Sequence, residues 1–229
     1  VTDLRVFTDT HALDEAAAHT LLEAVRSVLG GKPRASIALS GGSSPRPIYE
    51  ELSRLDKKTR RRALDSVDFF FGDERCVAPD DPESNYKMAL EALGADRHFH
   101  RMEGERPDRD AAAQDYEKLL PQPLDVLILG IGDDGHTASL FPGAASLDER
   151  KRRVIAVTDS PKPPPERLTI TPATIEAARS IFMIALGEKK ADAVKRALEG
   201  AWNPKETPAQ LARRGTWILD AAAASRLKR

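Results

Sequence analysis

Apolar residues along this chain alternate between two patterns. Leu13, Ala17, Leu21, Ala24 and Val28 recur every three or four positions. That spacing predicts an amphipathic helix over 11–29, stopped by Gly30-Gly31-Lys32-Pro33. Further helices are predicted from Pro45 to about Leu55 and over 84–93, 109–120 and 188–199. Between them lie short apolar runs at 35–40, 67–71, 124–130, 154–158, 167–171, 180–186 and 216–219, each predicted as a strand, with another short strand over His98–Met102. The run LDVLILG (124–130) is apolar on both faces, as a strand covered by helices on both sides must be. Strands interleaved with helices predict an α/β fold of three layers, α/β/α, around a mostly parallel sheet. The proline-rich stretch 160–166 reads as a surface loop, and strands of the same character continue beyond it, so 1–229 is expected to form one domain.

Composition narrows the function. The chain has 229 residues, 41% hydrophobic and 31% charged, which suffices for a real core. Lys and Arg total 35 against 36 Asp and Glu, a net charge of −1 that counts against a nucleic-acid or acidic-membrane partner. The single cysteine, Cys76, rules out an intramolecular disulfide and a Cys-rich zinc site. No apolar run approaches the ~18 residues of a membrane span. The opening VTDLRVFTDT carries no secretion pattern, so a cytoplasmic location is expected. A monomer is the expected state. His98 and His100 share a strand face without further ligands at metal spacing, so no metal is expected. The basic run Lys57-Lys58-Thr59-Arg60-Arg61-Arg62 reads as a solvated helix end and loop.

In an open parallel sheet, ligands collect at the carboxyl ends of the strands, and three strands here end in unusual loops. Ser40-Gly41-Gly42-Ser43-Ser44-Pro45 follows the first. Its glycines allow close approach of the backbone, and free N–H groups at a helix start with the Ser43 and Ser44 hydroxyls form a natural phosphate site. An ordinary strand-to-helix turn is equally compatible with the spacing. Gly72-Asp73-Glu74-Arg75 follows VDFFF and offers charged side chains, with Arg75 able to grip a phosphate or carboxylate. Asn85, closing the next loop, fits either a helix cap or a ligand contact. The third loop is Gly130-Ile131-Gly132-Asp133-Asp134-Gly135-His136-Thr137. It satisfies Gly-x-Gly-x-x-Gly literally, but two carboxylates would occupy the place of a pyrophosphate. An Asp two residues before a His reads better as an acid/base pair, Asp134 orienting His136.

With these loops in hand, the sequence resembles the 6-phosphogluconolactonase family. The resembling segments are ALSGGSSP (38–45), VDFFFGDERCVAPDDPESNY (67–86), LDVLILGIGDDGHTASLFPG (124–143), KPPPERLTIT (162–171) and ALGEKK (185–190). The resemblance implies a Rossmann-like sheet and hydrolysis of 6-phospho-D-glucono-1,5-lactone, without cofactor or metal. His136 is then the base that activates water and Asp134 its support. Gly41, Gly42, Ser43, Ser44, Asp73, Arg75, Asn85, Gly132, Lys162 and Arg167 face the phosphorylated sugar lactone, with the phosphate near Ser43, Ser44, Arg75 and Arg167 and with Lys162 assisting. N–H groups of the Gly130–Gly135 loop are expected at the oxyanion. The related glucosamine-6-phosphate deaminases are the runner-up. They carry a Glu where this chain has Phe141, and Asp-Glu-Tyr where it has Asp73-Glu74-Arg75. A non-catalytic sugar-phosphate sensor is the third reading.

Overall fold

A computed structural model describes residues 2–58 and 62–228. Ten strands and six α-helices follow one another as β1 (Asp3–Phe7), α1 (Thr10–Leu29), β2 (Ala35–Leu39), α2 (Pro45–Lys57), β3 (Val67–Phe71), β4 (Asp73–Arg75), α3 (Asn85–Leu93), β5 (His98–Phe99), α4 (Arg109–Leu119), β6 (Val126–Gly130), β7 (Val154–Val157), β8 (Arg167–Ile170), α5 (Pro172–Ala177), β9 (Ser180–Ala185), α6 (Ala191–Glu199) and β10 (Thr216–Asp220). Seven strands form one parallel sheet in the order β1-β10-β9-β6-β2-β3-β5. Helix α1 packs on it through β10 and β2, α1, α2 and α3 lie side by side, and α4 packs against β7, in an α/β arrangement around a mostly parallel sheet as expected.

Local chemistry sets the helix starts. Asp9 and Asp108 each accept a backbone N–H three residues on, capping α1 and α4. Pro45 opens α2, where its missing N–H is no loss. Leu13, Ala17, Leu21 and Val25 of α1 are buried, the face its spacing announced. Every residue of β2 and the apolar residues of β6 are buried too. Each such Leu or Ile contributes about 1.5–3 kcal/mol on leaving water.

Two expectations change here. Runs 154–158 and 167–171 do not continue the main sheet. They pair antiparallel with β4 in a second, three-stranded sheet ordered β4-β8-β7. A proline-rich loop and no helix joins β7 to β8, so no crossover exists to make them parallel. Residues 73–75, read as part of a turn, are strand β4 of that sheet. Strand β1 was not anticipated. It lies at the sheet edge, and its short alternation runs the unexpected way, with Leu4 and Val6 exposed. His100 stacks on Phe70, ring centroids 4.6 Å apart, and its Nε2 lies 3.3 Å from Asp68. Lys57 ends α2, while Thr59, Arg60 and Arg61 of the basic run lie outside the described residues. No helix among the described residues is long and apolar enough to cross a membrane.

The order of the main sheet places the site. From β2 the chain proceeds through β3 to β5 in one direction, while β6, β9 and β10 add on the other side. The crevice where the direction reverses lies at the carboxyl ends of β2 and β6, where ligands of such sheets bind.

Candidate active site

A cavity of about 340 Å³ opens at that crevice. It is lined by the Ser40–Pro45 loop, Asp73, Arg75, Asn85, Gly130, Ile131, Gly132, His136, Ala138, Phe141, Lys162, Pro163, Arg167 and Lys190, among others. All three strand-end loops meet there. Every residue expected to act on or contact the substrate lines the cavity except Asp134, which stands behind His136.

Asp134 Oδ1 accepts from His136 Nδ1 at 2.6 Å and from the His136 backbone N–H at 3.1 Å. Burial pushes the Asp134 carboxyl up, but these bonds outweigh it and hold the group well below the usual carboxylate range. An ionised Asp134 fixes the tautomer with hydrogen on Nδ1, so Nε2 carries the free lone pair. Nε2 has no hydrogen-bond partner among the described residues. The imidazole rests against Phe141, centroids 4.7 Å apart. Gly132 is needed for this pair, because a Cβ there would overlap both the His136 ring and Asp134 Oδ1.

The loop's own N–H groups are largely used. Gly132 donates to His136 O (2.8 Å), Gly135 to Gly132 O (3.1 Å), Asp134 to Asp133 Oδ1 (3.2 Å), and His136 to Asp134. Within Gly130–Gly135, the expected source of oxyanion donors, the N–H groups of Gly132, Asp134 and Gly135 are therefore already engaged. The Ser-Gly-Gly loop behaves otherwise. The N–H groups of Gly41, Gly42, Ser43 and Ser44 donate to no described residue, and Gly42 has φ = 96°, a conformation that favours glycine. Such a cluster of free N–H groups beside the start of α2 has the chemistry to hold an anion.

Strand β4 sorts the Asp-Glu-Arg triplet by alternation. Asp73 and Arg75 reach the cavity, while Glu74 turns inward and is 3% exposed. Its carboxylate accepts the N–H groups of Arg75 (2.8 Å), Asn85 (2.7 Å) and Tyr86 (2.8 Å) and the Ser84 hydroxyl (3.1 Å). Burial pushes the Glu74 carboxyl up against those bonds. Ser84, not Asn85, caps α3, its Oγ accepting the Lys87 N–H. Asn85 Nδ2 instead donates to Asp73 O at 2.9 Å and Asp73 Oδ1 at 3.2 Å, with its amide seated where a Cβ on Gly41 would lie. The other Asp73 oxygen accepts from Ser139 Oγ at 2.6 Å.

The cations have unequal freedom. Arg75 Nη1 donates to Glu83 O at 2.5 Å. Arg167 is 5% exposed and spends Nε on Pro164 O (2.7 Å) and Nη2 on Pro163 O (2.8 Å) and Lys162 O (3.2 Å). It holds the proline loop in place and keeps Nη1, 4.0 Å from Asp73, for the cavity. Lys162 pairs with Asp133 across the cavity mouth. Lys190 was missed as a site residue. It follows β9, which neighbours β6 and delivers its loop to the same edge, and the strand-end rule applied to β9 would have found it. Burial holds its ammonium below the ordinary lysine range.

Fold and site together define a three-layer α/β protein in which a His–Asp pair faces a cavity rich in anion-binding groups. A family model described as glucosamine-6-phosphate isomerases/6-phosphogluconolactonase matches residues 8–219, and the chain belongs to that family. It is 36% identical to a 6-phosphogluconolactonase of Mycobacterium tuberculosis, covering 98% of both chains. It is also 36% identical to the human 6-phosphogluconolactonase, over 96% of this chain and 92% of that one. Among solved structures, the 6-phosphogluconolactonase of Trypanosoma cruzi is 30% identical with a TM-score of 0.84, over 100% of this chain and 98% of that one.

Proposed function

We propose that this chain hydrolyses 6-phospho-D-glucono-1,5-lactone to 6-phospho-D-gluconate, the second step of the oxidative pentose phosphate pathway. The observation that carries the reading is His136, oriented by Asp134 with Nε2 free, in a strand-end cavity walled by Arg75, Arg167, Lys162 and Lys190. The lactonase names of relatives aligned along nearly the whole chain support it. The phosphate dianion sits in the Gly41–Ser44 cradle with Arg75 and the other cations around it. His136 Nε2 takes a proton from water as the water oxygen attacks the lactone carbonyl carbon. Asp134, ionised throughout, stabilises the imidazolium that forms. The proton then passes to the departing ring oxygen. General-base catalysis of this kind supplies about 10²–10⁴-fold. The enzyme acts as a cytoplasmic monomer on a freely diffusing metabolite, and light scattering giving one 25.1 kDa chain per particle checks the oligomeric part.

The deaminase reading is disfavoured by two observations. Phe141, which cannot carry a proton, packs on the catalytic ring, and both Asp73 oxygens are already held by Ser139 and Asn85. The test is lactone disappearance at near-neutral pH, counted above the spontaneous rate. His136→Ala is expected to lose most of that excess while remaining folded. Ammonia release from an amino-sugar phosphate, with no gain in lactone loss, would reverse the assignment.

A further inference from the structure

Ester hydrolysis passes through a tetrahedral intermediate whose oxygen bears the negative charge, and a donor fixed there in advance supplies much of the acceleration. Around His136 few N–H groups remain for that task. Those of Gly132, Asp134, Gly135 and His136 are bound within the loop. Ser139 donates to Thr169 Oγ1 at 3.1 Å, and Leu140 to Thr137 O at 3.0 Å. Beyond the end of β6, the cavity-lining residues of this segment that donate to no described residue are Ile131, Ala138 and Phe141, and of these Ala138 alone stands within two residues of His136. Ile131 directly prolongs β6 between β2 and β9, where strand N–H groups lie in the plane of the sheet.

Ala138 is turned out of that frame. Its φ is 48°, and among the described residues it is the one non-glycine in the left-handed region. Both neighbours enforce the turn. Thr137 Oγ1 donates to Gly130 O at 2.8 Å, and Ser139 Oγ donates to Asp73 Oδ2 at 2.6 Å, both residues being fully buried. Strain that persists because flanking bonds over-determine it, two residues from the base and on the cavity wall, marks an atom that is being aimed.

We propose that the backbone N–H of Ala138 is the hydrogen-bond donor to the oxyanion formed when water attacks the lactone carbonyl carbon. As the water oxygen bonds to that carbon and His136 takes the proton, the carbonyl π pair moves onto oxygen, where Ala138 N–H meets it. When the pair returns, the bond from carbon to the ring oxygen breaks and His136 gives its proton to the leaving alkoxide. One lactone and one water thus yield one hydroxy acid. The assignment rests on the lactonase reading.

The experiment replaces Ala138 with lactic acid by nonsense suppression, which exchanges the N–H for an ester oxygen and keeps the methyl group. kcat is expected to fall about 10²–10³-fold, the usual cost of one oxyanion donor, with KM and melting temperature unchanged. A matching ester at Leu140 removes the bond to Thr137 O and leaves the Ala138 N–H in place. It is expected to keep kcat near that of the unmodified protein. Full kcat in the Ala138 ester, or equal losses in both esters, overturns the proposal. Absence of turnover above the blank in the unmodified protein is a different result and rejects the lactonase reading itself.

Discussion

A methyl group on Gly132 would collide with the imidazole it lies beside, so the His136–Asp134 pair needs this glycine in its present geometry. Gly132→Ala is expected to displace the His136 ring and lower kcat by about 10²-fold, the scale of an ångström-sized misplacement. Near-normal lactone turnover in that variant would show that the ring has room to move. At the two arginines the side chains predict different outcomes. Arg75→Ala removes a cation from the cavity and should raise KM more than it lowers kcat. Arg167→Lys keeps the charge yet loses the planar fork that binds the Pro163 and Pro164 carbonyls. It should impair kcat/KM despite charge conservation, and steady-state kinetics on both variants checks the contrast. The placement of His136, Asp134 and Arg75 around the strand-end cavity was legible in the sequence because reactive residue types at strand ends are few. The placement of Lys190 was not, because a lysine three residues after a glycine looks like any solvated turn until its strand is placed beside β6.

Among elements, β4 and α3 work as a unit. Glu74 draws the N–H groups at the start of α3 onto strand β4, and Ser84 caps the helix while also donating to Glu74. Ser84→Ala should cost about 0.5–2 kcal/mol of stability, as loss of an N-cap does. Urea unfolding measures that cost, and KM should rise with it because Asn85 follows directly. Five of the ten described strands were predicted at the right place to within two residues at either end and in the sheet later observed, because their runs are buried and continuous. Runs 154–158 and 167–171 were also recognised as strands. Their partner, β4, spans three residues and reads as a charged turn, so nothing local announced a second sheet.

For the whole molecule, Asp125 ties the amino end of β6 to β2. Its carboxylate accepts the N–H and hydroxyl of Ser36, both at 2.9 Å, and pairs with Lys32 at 2.7 Å. Burial pushes it up, and these partners more than reverse the effect, leaving it below the usual range. A carboxyl lowered on folding adds stability that is present above its unfolded value near 3.9 and is lost as pH falls towards the folded one. Asp134, Asp68 and Asp125 all shift this way, so melting temperature should fall on acidification below about pH 4. Asp125→Ala should cost about 1.5–3 kcal/mol and flatten that acid limb, which calorimetry across pH would register. By itself the sequence determined the alternation of helix and strand, the three loops and the pairing of Asp134 with His136. Each depends on residue spacing within a few positions. Only the tertiary structure decided which strands neighbour one another. That choice rests on long-range pairing and burial, and it brought Lys190 to the cavity, turned Glu74 away from it and locked the His136 loop's N–H groups into its own turn.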